Sequence, residues 1–127
     1  MKYLIDTHVI IWHYESLSKI PPKIGEIIYN RENSIYLSSI SLLEMAVKVN
    51  IGKLKLNITF DELLNHIENG DFIILQIENE YLKRVAELPL IHKDPFDRLL
   101  VSTALTEDIK IITADENIQR YDVPWVW

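Results

Sequence analysis

Five short runs of this chain are apolar at consecutive positions rather than at alternate ones. They cover residues 2–6, 34–38, 72–75, 110–114 and 123–126. A strand apolar on both faces must be covered on both faces, and this is the habit of parallel sheets flanked by helices. The segments between the runs carry helix signals. Residues 7–16 follow the first run directly. Pro21-Pro22 opens a helix to about residue 31, because proline suits the first helical turn. Residues 40–50 read as a helix ended near Gly52, and another begins at Thr59 or Asp61 and stops before Gly70. Further helices are expected over 78–87, up to Pro89, and over 94–106. The order predicts an α/β fold: a three-layer α/β/α sandwich around a central, mostly parallel sheet of four to five strands. At 127 residues the chain makes one domain, 1–127.

Four acids stand at the edges of apolar segments. Asp6 closes the first run, Asp115 closes Ile111-Ile112-Thr113-Ala114-Asp115, Asp97 opens Asp97-Arg98-Leu99-Leu100-Val101, and Glu44 lies within Ser41-Leu42-Leu43-Glu44-Met45. In open parallel sheets ligands bind beyond the carboxyl ends of the strands. Asp6 and Asp115 both fall at such ends, so the fold carries them to one edge. Two carboxylates ~4 Å apart repel by about 4 kcal/mol at an effective dielectric near 20. Four gathered acids therefore call for a neutralising divalent cation. Hard oxygen donors with no cysteine favour Mg²⁺ or Mn²⁺ over Zn²⁺. A cation so held suits phosphodiester chemistry.

The formal net charge of −6 argues against nucleic acid when taken alone. Setting the four acids aside leaves 15 acidic side chains against 13 basic ones, a near-neutral remainder. A bound cation would reverse the field locally. Net charge thus leaves the partner open. The absence of cysteine fits a reducing cytoplasm, and no apolar stretch has the length of a signal peptide core or membrane span, so a cytoplasmic protein with no membrane association is expected.

Each acid also has a plainer reading. Asp6 and Asp115 suit N-caps of the helices that follow them, and Thr7 could cap in place of Asp6. Glu44 stands four residues before Lys48, the spacing of a surface ion pair, although it borders the apolar stripe of its helix. In Asp94-Pro95-Phe96-Asp97, Asp94 suits the N-cap, Pro95 the first turn, and Asp97 the third helical position, where an acid complements the helix dipole. Asp97 nevertheless lines up with Leu100, Val101 and Ala104 on the inward stripe. His8, His13, His66 and His92 show no ligand spacing and read as ordinary residues. Trp12, Trp125 and Trp127 read as core or interface. No glycine-rich phosphate loop exists among three glycines.

The motifs together resemble those of PIN-domain proteins, end to end. Leu4-Ile5-Asp6-Thr7-His8 is similar to the first motif, Ile40-Ser41-Leu42-Leu43-Glu44-Met45 to the second, and Ile111-Ile112-Thr113-Ala114-Asp115 to the fourth. His92-Lys93-Asp94-Pro95-Phe96-Asp97-Arg98 resembles the third motif of the VapC-type toxin branch, and Tyr121-Asp122-Val123-Pro124-Trp125 fits the last strand. The resemblance implies that Asp6, Glu44, Asp97 and Asp115 are both the metal ligands and the catalytic acids of a Mg²⁺- or Mn²⁺-dependent endoribonuclease. It implies supporting hydroxyls at Thr113 and Thr7, with Asp94 beside them. It implies a toxin role, an RNA substrate and a VapB-type antitoxin as partner. Lys48, Lys93 and Arg98 are expected phosphate contacts, by their proximity to the motifs, and exposed Trp and Tyr side chains point to a homodimer.

Two other aspartate-based classes fail on residues. A haloacid-dehalogenase phosphatase needs a second acid two positions after the first, where this chain has His8. A response-regulator receiver needs a lysine after a late strand, where this chain has Asp115. The remaining alternative is a non-enzymatic, metal-stabilised interaction module of PIN-like fold.

Overall fold

The computed structural model describes residues 1–127. β1 (Lys2–Ile5) runs straight into α1 (Thr7–Glu15), and a 3-10 turn at Leu17–Lys19 leads to α2 (Pro22–Tyr29). β2 (Ser34–Ser38) passes directly into α3 (Ser39–Asn50), followed by α4 (Phe60–Glu68) and β3 (Ile73–Leu75). α5 (Asn79–Val85), α6 (Pro95–Glu107), β4 (Lys110–Ile112), α7 (Glu116–Gln119) and β5 (Trp125–Val126) complete the chain.

The five strands form one sheet in the order β3-β2-β1-β4-β5, and every pairing is parallel. The expected "mostly parallel" sheet is therefore wholly parallel. Alternate residues of β1 feed different layers. Tyr3 and Ile5 join Ile10, Ile24, Leu37, Leu63 and Ile67 on one face. Leu4 joins Leu100, Val101, Ala104, Ile111 and Ile118 on the other. That division is the three-layer sandwich, and it explains why consecutive residues of the strands are apolar.

Two differences from the expected elements affect the site. β4 ends at Ile112 rather than at residue 114; the Thr113 amide still donates to the Val126 carbonyl at 3.2 Å, and the chain leaves the sheet after it, at Ala114 and Asp115. The residues after α1 tighten into the 3-10 turn, which was not expected. The sheet also reverses its order of growth at β1: β2 and β3 lie on one side, β4 and β5 on the other. Open α/β sheets present a crevice at such a reversal, here between the carboxyl ends of β1 and β4. No helix is long and apolar enough to cross a membrane.

Candidate active site

The β1–β4 crevice is built by register. Ile5 pairs with Ile112, and the Asp6 amide donates to the Ile112 carbonyl at 3.0 Å. This sets Asp6 beside Thr113, whose hydroxyl donates to Asp6 Oδ2 at 2.9 Å. Asp6 sits at the N-cap position of α1, yet its side chain makes no capping hydrogen bond. Its other oxygen, Oδ1, is buried and has no hydrogen-bond partner. Asp6 is only 1% exposed. A capping role does not account for such a side chain, because a buried, unpartnered carboxylate oxygen costs stability.

Glu44 reaches the same edge from α3. It is 1% exposed, so its partnership with Lys48 is no surface pair: the lysine closes over a buried acid. The ammonium engages Oε2 and leaves Oε1 buried without a partner. Burial pulls the Lys48 pKa down, but the Glu44 hydrogen bond and charge, with Asp94 and Asp97 beyond, outweigh it and hold the ammonium above its ordinary value.

Asp97 enters from the first turn of α6. It is buried, as its place on the inward stripe predicts, and its Oδ2 meets His92 Nε2 at 3.1 Å. Asp94 caps this helix, with Oδ1 accepting from the amides of Phe96 (2.8 Å) and Asp97 (3.2 Å). Asp115 caps α7 in the same way, with Oδ1 accepting from Asn117 (2.8 Å) and Ile118 (3.1 Å). Its own amide donates to Thr113 Oγ1 at 3.0 Å, so one hydroxyl ties Asp115 to Asp6.

The four acids act on one another electrostatically. Burial pushes the Asp6 carboxyl up to about 7; the Thr113 hydrogen bond opposes this, and the charges of Asp115 and Glu44 add to it. Burial raises Asp97 as well, against the His92 hydrogen bond and with help from Asp94, Asp6 and Asp115. The acids nevertheless do not converge on one point. No three His, Asp or Glu side chains are disposed to hold a metal ion in common. Each has taken its own partner: Thr113, Lys48, His92 or a helix amide.

Three expectations need correction. Thr7 does not touch a site carboxylate; its buried hydroxyl donates to Ser41 Oγ at 2.7 Å and clips α1 to α3, one turn before Glu44. Arg98 does not face a phosphate. It is 8% exposed, and its guanidinium donates to the carbonyls of Val85, Leu88, Pro89 and His92 and to the Tyr121 hydroxyl. It braces the segment before α6, a buried task for which the planar five-donor fork is suited. His92 is not an ordinary residue, since it joins Asp97 to Tyr121. Its one available signal is its place two residues before the Asp94 cap, where a chain folds back over the first helical turn. Lys93 is exposed and has no acidic partner, while Lys48 stands at the edge of the acid group.

The sequence matches the family profile described as PIN domain over residues 3–124. The chain belongs to the PIN-domain family. Solved structures of similar fold include VapBC2 from Rickettsia felis bound to a DNA fragment from their promoter, at a TM-score of 0.72 and 19% identity, covering 99% of this chain and 98% of that one. VapBC-1 from nontypeable Haemophilus influenzae matches at 0.68 and 21%, covering 99% and 97%. A toxin–antitoxin complex from Klebsiella pneumoniae matches at 0.62 and 19%, covering 98% and 96%. At these identities the likeness is one of fold. No curated protein gives a significant sequence match. Within the PIN fold, the acid-lined edge of this chain is the crevice where the sheet reverses.

Proposed function

We propose that this PIN domain is a VapC-type toxin, a Mg²⁺- or Mn²⁺-dependent endoribonuclease that hydrolyses RNA phosphodiester bonds. The observation that carries the reading is the pair of buried, partnerless carboxylate oxygens, Asp6 Oδ1 and Glu44 Oε1, at the reversal of the sheet. Orphaned hard oxygens of this kind fit a hard divalent cation; no three of the acids converge in this structure, so Asp6, Glu44, Asp97 and Asp115 would have to close around the ion to hold it, and none of them is a softer donor. When bound, such a cation supplies positive charge against the phosphate and against the departing oxygen.

The chain's own residues then have separate tasks. Thr113 fixes one oxygen of Asp6 and leaves the other free. Lys48 does the same for Glu44, and keeps a positive charge at the edge where an RNA phosphate would lie. Asp97 or Asp115 would hold or deprotonate the attacking water. Asp115 has one oxygen committed to the α7 cap, which leaves the other uncommitted.

A VapB-type antitoxin and a homodimer belong to the same proposal. One structurally similar protein is described as a toxin–antitoxin complex, and another as a member of the VapBC family of toxin–antitoxin systems. On this chain Leu43, Val47 and Ile51 recur every four residues along α3 and its end, and all three are exposed, which gives a protein partner an apolar stripe. An RNA substrate of this class places the work in the cytoplasm.

The test is cleavage of total cellular RNA by the wild type and by Asp6→Asn, each with Mg²⁺, Mn²⁺ or EDTA. Cutting that needs metal and is lost in the variant is the expected result. Folded, metal-supplied wild type that cuts nothing would return the chain to the class of interaction modules.

A further inference from the structure

Four of the chain's 13 basic side chains line a single cleft, although the protein as a whole is acidic. The cleft has a volume of about 420 Å³ and lies between α1, the 3-10 turn and the segment joining α3 to α4. Lys19, Lys48, Lys53 and Lys55 face it. Lys48 is also the partner of Glu44, so the cleft meets the acid-lined edge at that residue. Lys19, Lys53 and Lys55 have no acidic partner within ion-pairing distance.

The lining contains one acid, Glu15, whose two oxygens are both hydrogen-bonded to Asn57 and which leaves the cleft a net positive lining. Glu15 Oε1 accepts from the Asn57 amide at 2.6 Å, and Oε2 accepts from Asn57 Nδ2 at 2.9 Å. The clasp pins the α3–α4 segment to α1 and holds the lysines of that segment over the cleft. Lys19 Nζ stands 5.8 Å from the centroid of the Trp12 ring, which with Ile11 and Leu54 makes the apolar part of the wall. The cleft therefore offers several unpaired ammonium groups and one flat apolar surface. An anionic chain with flat apolar units matches that pattern, and single-stranded nucleic acid is such a chain. An acidic peptide would match the charge, but three apolar side chains give a docking helix little to bury against.

We propose that this cleft carries the single-stranded RNA flanking the cleaved bond, with its phosphates on Lys19, Lys48, Lys53 and Lys55 and a base against Trp12. The inference rests on the ribonuclease reading above. Lys48 is the joint between the two regions: one part of its ammonium serves Glu44, and the rest faces the incoming strand. The concentration of positive charge in one cleft explains how a chain of net charge −6 holds a polyanion.

The experiment measures binding of a fluorescent single-stranded RNA oligonucleotide by anisotropy across a salt series, in the Asp6→Asn background so that nothing is cut. Lys53→Gln with Lys55→Gln is compared with the unaltered cleft. Both lysines are exposed, so the fold is retained, and a melting curve checks this. The expected result is affinity weaker by about tenfold and a salt slope reduced by about 1.4, since each lost phosphate contact on a single strand removes ~0.7. Unchanged affinity and slope overturn the proposal. Unchanged RNA binding with lost binding of a labelled polyglutamate peptide also overturns it, and assigns the cleft to a protein partner. Because the readout is binding, the two readings fail separately: RNA held in this cleft but never cut by the wild type removes the nuclease and keeps the cleft.

Discussion

The Tyr121 hydroxyl lies 2.8 Å from His92 Nδ1, and this contact fixes the face that the imidazole shows to Asp97. Arg98 can only donate, and its Nη1 donates to the Tyr121 oxygen at 2.9 Å. The phenol proton is then free for Nδ1, which is nearer than the alternative His92 carbonyl at 3.5 Å. With Nδ1 accepting, the ring proton of the neutral imidazole belongs to Nε2 and is donated to Asp97 Oδ2. A buried arginine thus orients a site carboxylate through two intermediate side chains.

Breaking that relay at Tyr121 separates orientation from bulk. Tyr121→Phe keeps the ring but removes the hydroxyl, and a cost of about 1–3 kcal/mol in unfolding free energy is expected because Arg98 Nη1 loses an acceptor and His92 Nδ1 loses a donor. RNA cleavage should fall with it. His92→Gln, which can still donate to Asp97, should retain more activity than His92→Ala. Cleavage rates and urea melts check both, and equal rates in the two His92 variants would remove the orienting role.

The raised carboxyl of Asp6 gives stability a definite pH dependence. The unfolded aspartate loses its proton near its ordinary 3.8, and the folded one near 7. Between those values the folded state binds more protons, so stability must decline as pH rises from about 4 to about 7 and level off above. Asp97, shifted the same way, adds to the slope. Urea melts in EDTA should show a decline on the order of a few kcal/mol, and Asp6→Asn should flatten part of it. A profile identical in wild type and variant contradicts the assignment.

Asp6→Asn should also melt several degrees above the wild type at pH 8 in EDTA while losing cleavage, because a buried like charge has been removed and Thr113 keeps an oxygen to donate to. Differential scanning beside a cleavage assay decides the matter. A variant that melts lower makes Asp6 structurally necessary instead.

Asp115 serves its helix as well as the acid group, and the two roles can be split. Asp115→Ala should cost about 1 kcal/mol through the lost cap. Asp115→Asn keeps a capping oxygen and should stay near wild-type stability, yet lose cleavage. Full activity in the asparagine variant would reduce Asp115 to a cap.

Arg98→Ala should be the most damaging basic substitution, at about 3 kcal/mol or more, since it strands four backbone carbonyls and a hydroxyl. Lys93→Ala, on an exposed residue, should leave stability within about 0.5 kcal/mol. Chemical denaturation of both tests the contrast.

The sheet and the acids at its edge are legible in the sequence because both depend on local pattern. Consecutive apolar residues announce two-faced strands, and Asp6 stands one residue past such a strand. The partners of those acids are not legible, because a hydroxyl, an imidazole and a guanidinium acquire their roles only from distant neighbours. Thr7 turns to Ser41 rather than to Asp6, His92 finds Tyr121 across 29 positions, and Arg98 is taken up by the carbonyls of the segment before α6. The polar roles legible from local residues are capping at Asp94 and Asp115, which involves only amides two and three positions away, and the pairing of Glu44 with Lys48 one turn on, though not its burial.

Asp6 and Thr113 are 107 positions apart, and the acid acquires its orienting hydroxyl only when both ends of the chain meet. During synthesis the last strands leave the ribosome last, so a growing chain displays Asp6 and Glu44 long before it can assemble the edge that would use them. On the proposed ribonuclease reading, this order keeps the growing chain harmless to the message being translated, since the acid edge is assembled only when the two distant segments have met.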